Sequence, residues 1–276
     1  MTVGPKHRRS RSRVLLTGAS RGIGRATAEL LIANGWEVWG TARRVDRLPA
    51  LPSFHPVEMD LCDSGSIERG FLAAESEAGE FDALINNAGD GVFGPAEHTP
   101  AAAMREQFEM HYFGPLELTR RILPRMRTRG AGVIVNVTSL AARFPVPFMS
   151  GYSAAKAALG GFSAALALEL TGTGVSVVDL QPGDIHTEFH GVMRRIEPGD
   201  YGAAMARVEK VLERDCSAGP PPALVARAIL RELNRPTPRR TVGGFLQSKA
   251  APLAARVLPW RAMLWLLRRY FGIDQH

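Results

Sequence analysis

Tyr152 and Lys156 stand four positions apart in "YSAAK", which puts both on one face of a helix about one turn from each other. A free tyrosine, with a pKa of about 10, is a poor acid or base at neutral pH. An adjacent ammonium favours the tyrosinate and readies the pair for proton exchange. Tyr-x-x-x-Lys is also common on solvent-facing helices, so the pair needs company. Ser139 supplies it. It closes the apolar run "VIVNVTS" thirteen residues before Tyr152, where a neutral hydroxyl can polarise a carbonyl oxygen without competing for the proton.

A second constellation lies near the N-terminus, in "LLTGASRGIG" from Leu15 to Gly24. Backbone N–H groups at the start of a helix, with the positive end of its dipole, favour a phosphate-bearing ligand. Gly18, Gly22 and Gly24 let backbone approach that ligand closely. The spacing is not G-x-G-x-x-G, and taken alone such a turn also serves as a tight link from strand to helix.

These residues need elements to position them. Val14 to Thr17 reads as a short buried strand, and "GIGRATAELLIANG" as a helix stopped by Asn34 and Gly35. "WEVWGTAR" and "HPVEMD" read as strands, "SIERGFLAAESEAG" as a helix, and "FDALINNAG" as a strand ending in a polar turn. A long helical pattern over 100–127, bent at Pro115, precedes the strand "GVIVNVTS". "YSAAKAALGGFSAALALEL" is helical, "GVSVVDLQPG" is a strand, and Ala223 to Asn234 is a helix. Alternation at this pitch predicts an α/β fold: a Rossmann-type doubly wound parallel sheet with helices on both faces, in one domain over 13–247. Ligands then lie off the carboxyl ends of the strands. Between Asp184 and Pro222 the periodicity fades, and this stretch reads either as a substrate lid or as an ordinary surface excursion.

The ordered set of motifs resembles the short-chain dehydrogenase/reductase family over about residues 13–190. "TGASRGIG" matches the family's T-G-x-x-x-G-x-G turn, "NNAG" at Asn86 to Gly89 its sheet-stabilising turn, and Ser139, Tyr152 and Lys156 its catalytic trio. "QPG" at Gln181 to Gly183, with Thr187 beyond, matches the segment that contacts nicotinamide. The resemblance implies that Tyr152 exchanges the proton, Lys156 lowers its pKa and holds the nicotinamide ribose, and Ser139 orients substrate. It implies a dinucleotide held by Gly18, Ser20, Arg21, Gly22, Ile23, Gly24, Arg43, Asp60, Leu61, Asn86, Asn87, Ala88, Gly89, Pro182, Gly183 and Thr187, together with Tyr152 and Lys156. One position departs from the pattern: His111 in "FEMHYFGPLELT" stands where the family usually has Asn. The family's main-chain carbonyl there holds a relay water, so His111 either keeps the relay with altered packing or is a helix-bend histidine without a chemical role.

Charge decides the expected cofactor. The end of the second strand reads "GTARR", with no carboxylate to receive ribose hydroxyls. Arg43 and Arg21 suit a 2′-phosphate, which favours NADP(H) over NAD(H), although nearly all of the 34 basic residues are arginine and both could simply face solvent. Phe144, Phe148 and Met149 before Tyr152, with Phe189 and Met193 from the possible lid, predict apolar pocket walls and a lipophilic ketone, aldehyde or alcohol of steroid-, retinol- or fatty-acyl-like kind.

The net charge of +7 in 276 residues resides in the ends, and the body between is near neutral. Residues 1–12 read as a basic flexible tail, which argues against a specific nucleic-acid partner. The extension 248–276 mixes apolar residues with arginines. It reads first as packing over the cleft or a neighbouring subunit, and second as lying on an anionic membrane surface. Cys62 and Cys216 form no metal spacing or disulfide framework, so no metal is expected and a cytoplasmic location follows. A homodimer or homotetramer built on the 101–127 and Tyr-Lys helices is what the resemblance implies. The alternative to an enzyme is a nucleotide-binding redox sensor of the same fold.

Overall fold

The structure, a computed structural model, describes residues 12–273; all of the basic tail but Ser12 lies outside the described residues. The chain runs β1 (Arg13–Leu16), α1 (Gly22–Ala33), β2 (Glu37–Ala42), β3 (Phe54–Glu58), α2 (Ser64–Ala78), β4 (Ala83–Asn86), β5 (Val92–Phe93), α3 (Ala101–Phe108), α4 (Gly114–Arg129), β6 (Gly132–Val137), α5 (Ser150–Glu169), β7 (Val175–Pro182), α6 (Phe189–Val192), β8 (Arg194–Arg195), α7 (Gly202–Ala218), α8 (Pro222–Asn234), β9 (Arg239–Val242), α9 (Ala251–Val257) and α10 (Trp260–Phe271).

Seven strands pair in parallel in the order β3-β2-β1-β4-β6-β7-β9. Alternate residues of each strand enter opposite cores. Leu15, Leu84, Ile134 and Val177 face α2, α4 and α5, whereas Val14, Leu16, Ile85, Val135 and Val178 face α1 and α8. The order reverses between β1 and β4, which opens a crevice at the carboxyl ends of those strands.

The bend expected at Pro115 is a π turn, Glu109–Phe113, just ahead of it. Proline has no N–H for the carbonyl of His111, its usual partner four residues back, and the Gly114 N–H reaches five residues back to Glu109. The 184–222 stretch holds more structure than its composition suggests. α7 buries Met205, Val208 and Leu212 at helical spacing, and β8 pairs with β5 in a separate two-stranded sheet. β9 is short and mostly polar, and Asp179 of β7 draws it to the sheet edge through Arg239 Nε at 2.9 Å. The C-terminal extension folds back: Met263 and Phe271 of α10 are buried, Phe271 in a cluster with Phe93, Met149 and α7, and Arg207 Nε donates to the Gly272 carbonyl at 2.7 Å. No helix among the described residues is long and apolar enough to cross a membrane.

Candidate active site

The glycine turn has the backbone geometry that its spacing implies. Gly18 and Gly22 adopt positive φ of 70° and 52°, and a Cβ at Gly24 would lie 2.0 Å from the Gly18 carbonyl oxygen, so the turn closes only without side chains. Arg21, ahead of α1, makes no side-chain cap, which leaves the first N–H groups of the helix to a ligand. The turn is braced from behind. Thr17 Oγ1 accepts from the N–H groups of Asn87 and Ala88, and Asn87 Nδ2 donates to the Thr17 carbonyl at 3.0 Å.

A cleft of about 380 Å³ opens over this turn, lined by Gly18, Ser20, Arg21, Gly22, Ile23, Gly24, Arg43, Asp60, Leu61, Asn87, Ala88, Gly89 and Thr187. Arg44 and Arg47 line it too, but Arg44 is engaged by Asp46 at 2.6 Å. The contents suit an anionic dinucleotide: uncapped helix N–H groups, glycines that admit close approach, and guanidinium groups beyond the end of β2. Asn86 is the exception among the residues expected there. It is buried inside the sheet, where its Nδ2 donates to Asn136 Oδ1 at 2.7 Å and Asn136 in turn donates to Ser163 of α5. It crosslinks β4, β6 and α5 instead of facing the cleft.

Ser139, Tyr152 and Lys156 line one cavity of about 650 Å³ next to this cleft. Ser139 follows β6 in extended conformation, and its Oγ accepts from Ala141 N at 3.1 Å. Lys156 is buried, and its Nζ donates to the Val137 carbonyl at 2.7 Å and lies 5.9 Å from the Tyr152 ring centre. Burial lowers the Lys156 pKa to about 8. Burial also pushes the Tyr152 phenol up to about 12, against a smaller downward effect of the Ser139 side chain. The sequence-based expectation that Lys156 makes the phenol acidic is thus reversed in the chain alone. Loss of solvent from the tyrosinate is the largest influence on the phenol, while Lys156, itself desolvated, turns its Nζ to the Val137 carbonyl.

His111 lies in the π turn, fully buried. Its Nε2–H donates to the Asp90 carbonyl at 2.8 Å, its Nδ1 has no partner, and burial with the Lys156 charge holds its pKa well below the ordinary histidine value.

A family model described as short chain dehydrogenase matches residues 12–197. A 3-ketodihydrosphingosine reductase of Bacteroides thetaiotaomicron is 32% identical over 266 residues, 94% of this chain and 98% of that protein. The chain belongs to the short-chain dehydrogenase/reductase family. Among solved structures, a short-chain dehydrogenase from Streptomyces avermitilis superposes with a TM-score of 0.79 at 32% identity, covering 93% of this chain and 98% of its own. The closed form of a serine dehydrogenase complexed with NADP+ gives 0.74 at 27% identity, covering 86% and 97%. Solved family members are complexed with NADP+ in some cases and NADH in others. This short-chain dehydrogenase/reductase is an oxidoreductase of CH–OH groups on the same doubly wound sheet.

Its apolar cavity differs in part from the walls expected. Phe144, Met149, Phe189, Pro182 and Gly183 line it. Phe148 and Met193 do not: they sit in the cluster behind it, Phe148 edge-on to Phe93 and Met193 buried against Met149 and Gly91. Leu267, Tyr270 and Phe271 of the 248–276 extension line the far wall, in keeping with its first reading as packing over the cleft, with Phe245 and Leu246 just ahead of it; the sequence reading missed Leu212, Asp215 and Cys216 of α7. The 205, 208 and 212 spacing of α7 was the available signal.

Proposed function

We propose that this chain interconverts a carbonyl and an alcohol on a lipophilic substrate with NADP(H), Tyr152 exchanging the proton. The observation that carries the reading is a junction. The basic cleft at the glycine turn and the largely apolar cavity around Tyr152 share Ile23, Asn87, Gly89, Thr187 and Phe189, so the two spaces meet beside the phenol. When bound, the nicotinamide supplies or accepts the hydride; the chain's residues do the rest. Tyr152 keeps its proton at neutral pH and donates it to the substrate oxygen, with Ser139 hydrogen-bonding to the same oxygen. Lys156, anchored at Val137, places a positive charge near the tyrosinate that remains. Arg43 and Arg21 favour the 2′-phosphate of NADP(H).

The Bacteroides relative supports a lipid-like substrate, and the NADP+-bound serine dehydrogenase supports the cofactor choice. Residues 184–222 act as a lid in this reading: Thr187 Cγ2 lies 3.4 Å from where a Gly22 Cβ would be, directly over the turn. We also propose a cytoplasmic homodimer or homotetramer built on the helical stretch 101–127 and α5, whose solvent sides expose Phe113 and Leu168. A panel of alkyl ketones, aldehydes and alcohols, followed by NADPH and NADH absorbance, tests the activity. A folded protein that binds NADPH and turns over nothing in the panel would replace the enzyme with a redox sensor.

A further inference from the structure

Large hydrophobic side chains are not exposed evenly. Fourteen stand exposed among the described residues, and eight of them fall between Phe245 and Tyr270. Charge is uneven in the same stretch. From Leu233 to Ile273 the chain carries seven arginines and one lysine and no Asp or Glu.

α10 shows how the two are combined. Met263 and Phe271 are buried toward the body, while the solvent side carries Trp265 among Arg261, Arg268 and Arg269. Trp265 is 56% exposed and Trp260 at the helix start 57%. The Arg269 guanidinium lies 5.2 Å from the Trp265 ring centre. Tryptophan interleaved with arginine on a water-facing side suits the headgroup boundary of a bilayer, where the ring takes the apolar layer and the guanidinium the phosphates.

The cavity opens at this face. Phe245 and Leu246 line it, yet are 79% and 73% exposed, so they stand at its mouth, and half-exposed Tyr270 joins them. A second copy of the chain is a poor occupant, because a two-fold contact would set a segment with five basic residues and no Asp or Glu against its own copy. A surface of anionic lipid matches both its charge and its aromatic side chains.

We propose that the face formed by 245–270 docks on anionic membrane surfaces, with the mouth of the Tyr152 cavity turned toward the lipid. The docking does not depend on the identity of the substrate.

Co-sedimentation of the full chain with vesicles of phosphatidylcholine containing about one third phosphatidylglycerol tests it. Wild type is expected to pellet with these vesicles in low salt, to bind pure phosphatidylcholine about tenfold more weakly, and to show a blue-shifted tryptophan emission when bound. Trp260→Ser/Trp265→Ser, neither residue lining the cavity, should lose about tenfold in vesicle affinity while still binding NADPH. Should that variant misfold, Arg261→Glu/Arg269→Glu reads the same face through charge. Removal of residues 1–11 should leave binding in place. The proposal is overturned if wild type stays in the supernatant, if folded variants bind unchanged, or if deletion of 1–11 alone abolishes binding. Loss of assembly mass in the tryptophan variant without vesicle binding by wild type would make the face a subunit contact and overturn it as well.

Discussion

The imidazole of His111 stands edge-on to the Tyr152 ring, with centroids 5.1 Å apart and planes at 88°. Its one N–H is committed to the Asp90 carbonyl, and its other nitrogen is buried and unpartnered. A ring so placed can fix the face of the phenol, but it has no free proton to pass. The carbonyl of the same residue is the group that Pro115 leaves without its helical donor. The main-chain relay that the family resemblance implies would need only this carbonyl, and His in place of Asn leaves it available.

His111→Asn should accordingly keep turnover within about tenfold of wild type, or 1.4 kcal/mol in barrier. The wild-type pH–rate profile should show no inflection near 6.5, because burial keeps the imidazole neutral there. Stability should behave differently. The unfolded chain takes up a proton that the native histidine refuses, so native stability falls as the pH drops below about 6.5. Urea unfolding at two pH values on either side should show a larger acid loss in wild type than in the variant. Equal losses would mean that His111 is not held neutral.

Lys156 has the same sign and acts in a higher window. With a native pKa of about 8, the ammonium is disfavoured by folding, and the cost is present in full below that pH and relieved as pH rises through about 10. Lys156→Met should stabilise the protein by about 2 kcal/mol at pH 7, after allowing for the lost bond to Val137. That corresponds to a rise of roughly 4–8 °C in Tm, with turnover abolished. A variant that is both inactive and less stable would show the lysine to be a net structural asset.

Much of this site was legible because its chemistry is local. The glycine turn needs residues that only glycine can supply, and Tyr152 and Lys156 are neighbours through helical geometry alone. Asn86 was misplaced because a sequence does not say which way a strand-end side chain points; alternation sends it into the sheet toward Asn136 and sends Asn87 to the glycine turn. Phe148 was assigned to the cavity by proximity to Tyr152 in sequence and Met193 by its place in the possible lid, yet both fill the layer behind it. Packing of the extension over the cleft was legible as its first reading, but the share of α7 in the far wall was not, because α7 reaches the cavity only through long-range packing. The direction of the Tyr152 shift was lost for a related reason: proximity to Lys156 is a matter of spacing, whereas burial belongs to the whole fold.

Cofactor selection rests on Arg43, which lines the basic cleft beyond the end of β2. Arg43→Ala should weaken NADPH binding by roughly 1.5–3 kcal/mol, about 10- to 150-fold, and leave NADH nearly unaffected, since only the former carries a 2′-phosphate. Titration of both cofactors against both proteins separates the two effects. Wild type with equal affinity for NADPH and NADH would end the assignment.

Tyr152→Phe removes one oxygen from a half-buried ring whose neighbours are His111 and Phe189. The ring contacts persist, so the cleft at the glycine turn should bind NADPH within about threefold of wild type, a difference under 1 kcal/mol. Carbonyl reduction should fall by about 100- to 10,000-fold, the usual contribution of a positioned proton donor. The pH dependence sharpens the test. A phenol held at about 12 stays protonated throughout the neutral range, so reduction should show no loss below pH 9 that is traceable to Tyr152, while alcohol oxidation should rise with pH. Any bend near pH 8 in the reductive profile then belongs to Lys156 and should be absent from Lys156→Arg, whose guanidinium stays charged. Near-native reduction by Tyr152→Phe would require another group in the cavity to deliver the proton, and the proposed mechanism would fail.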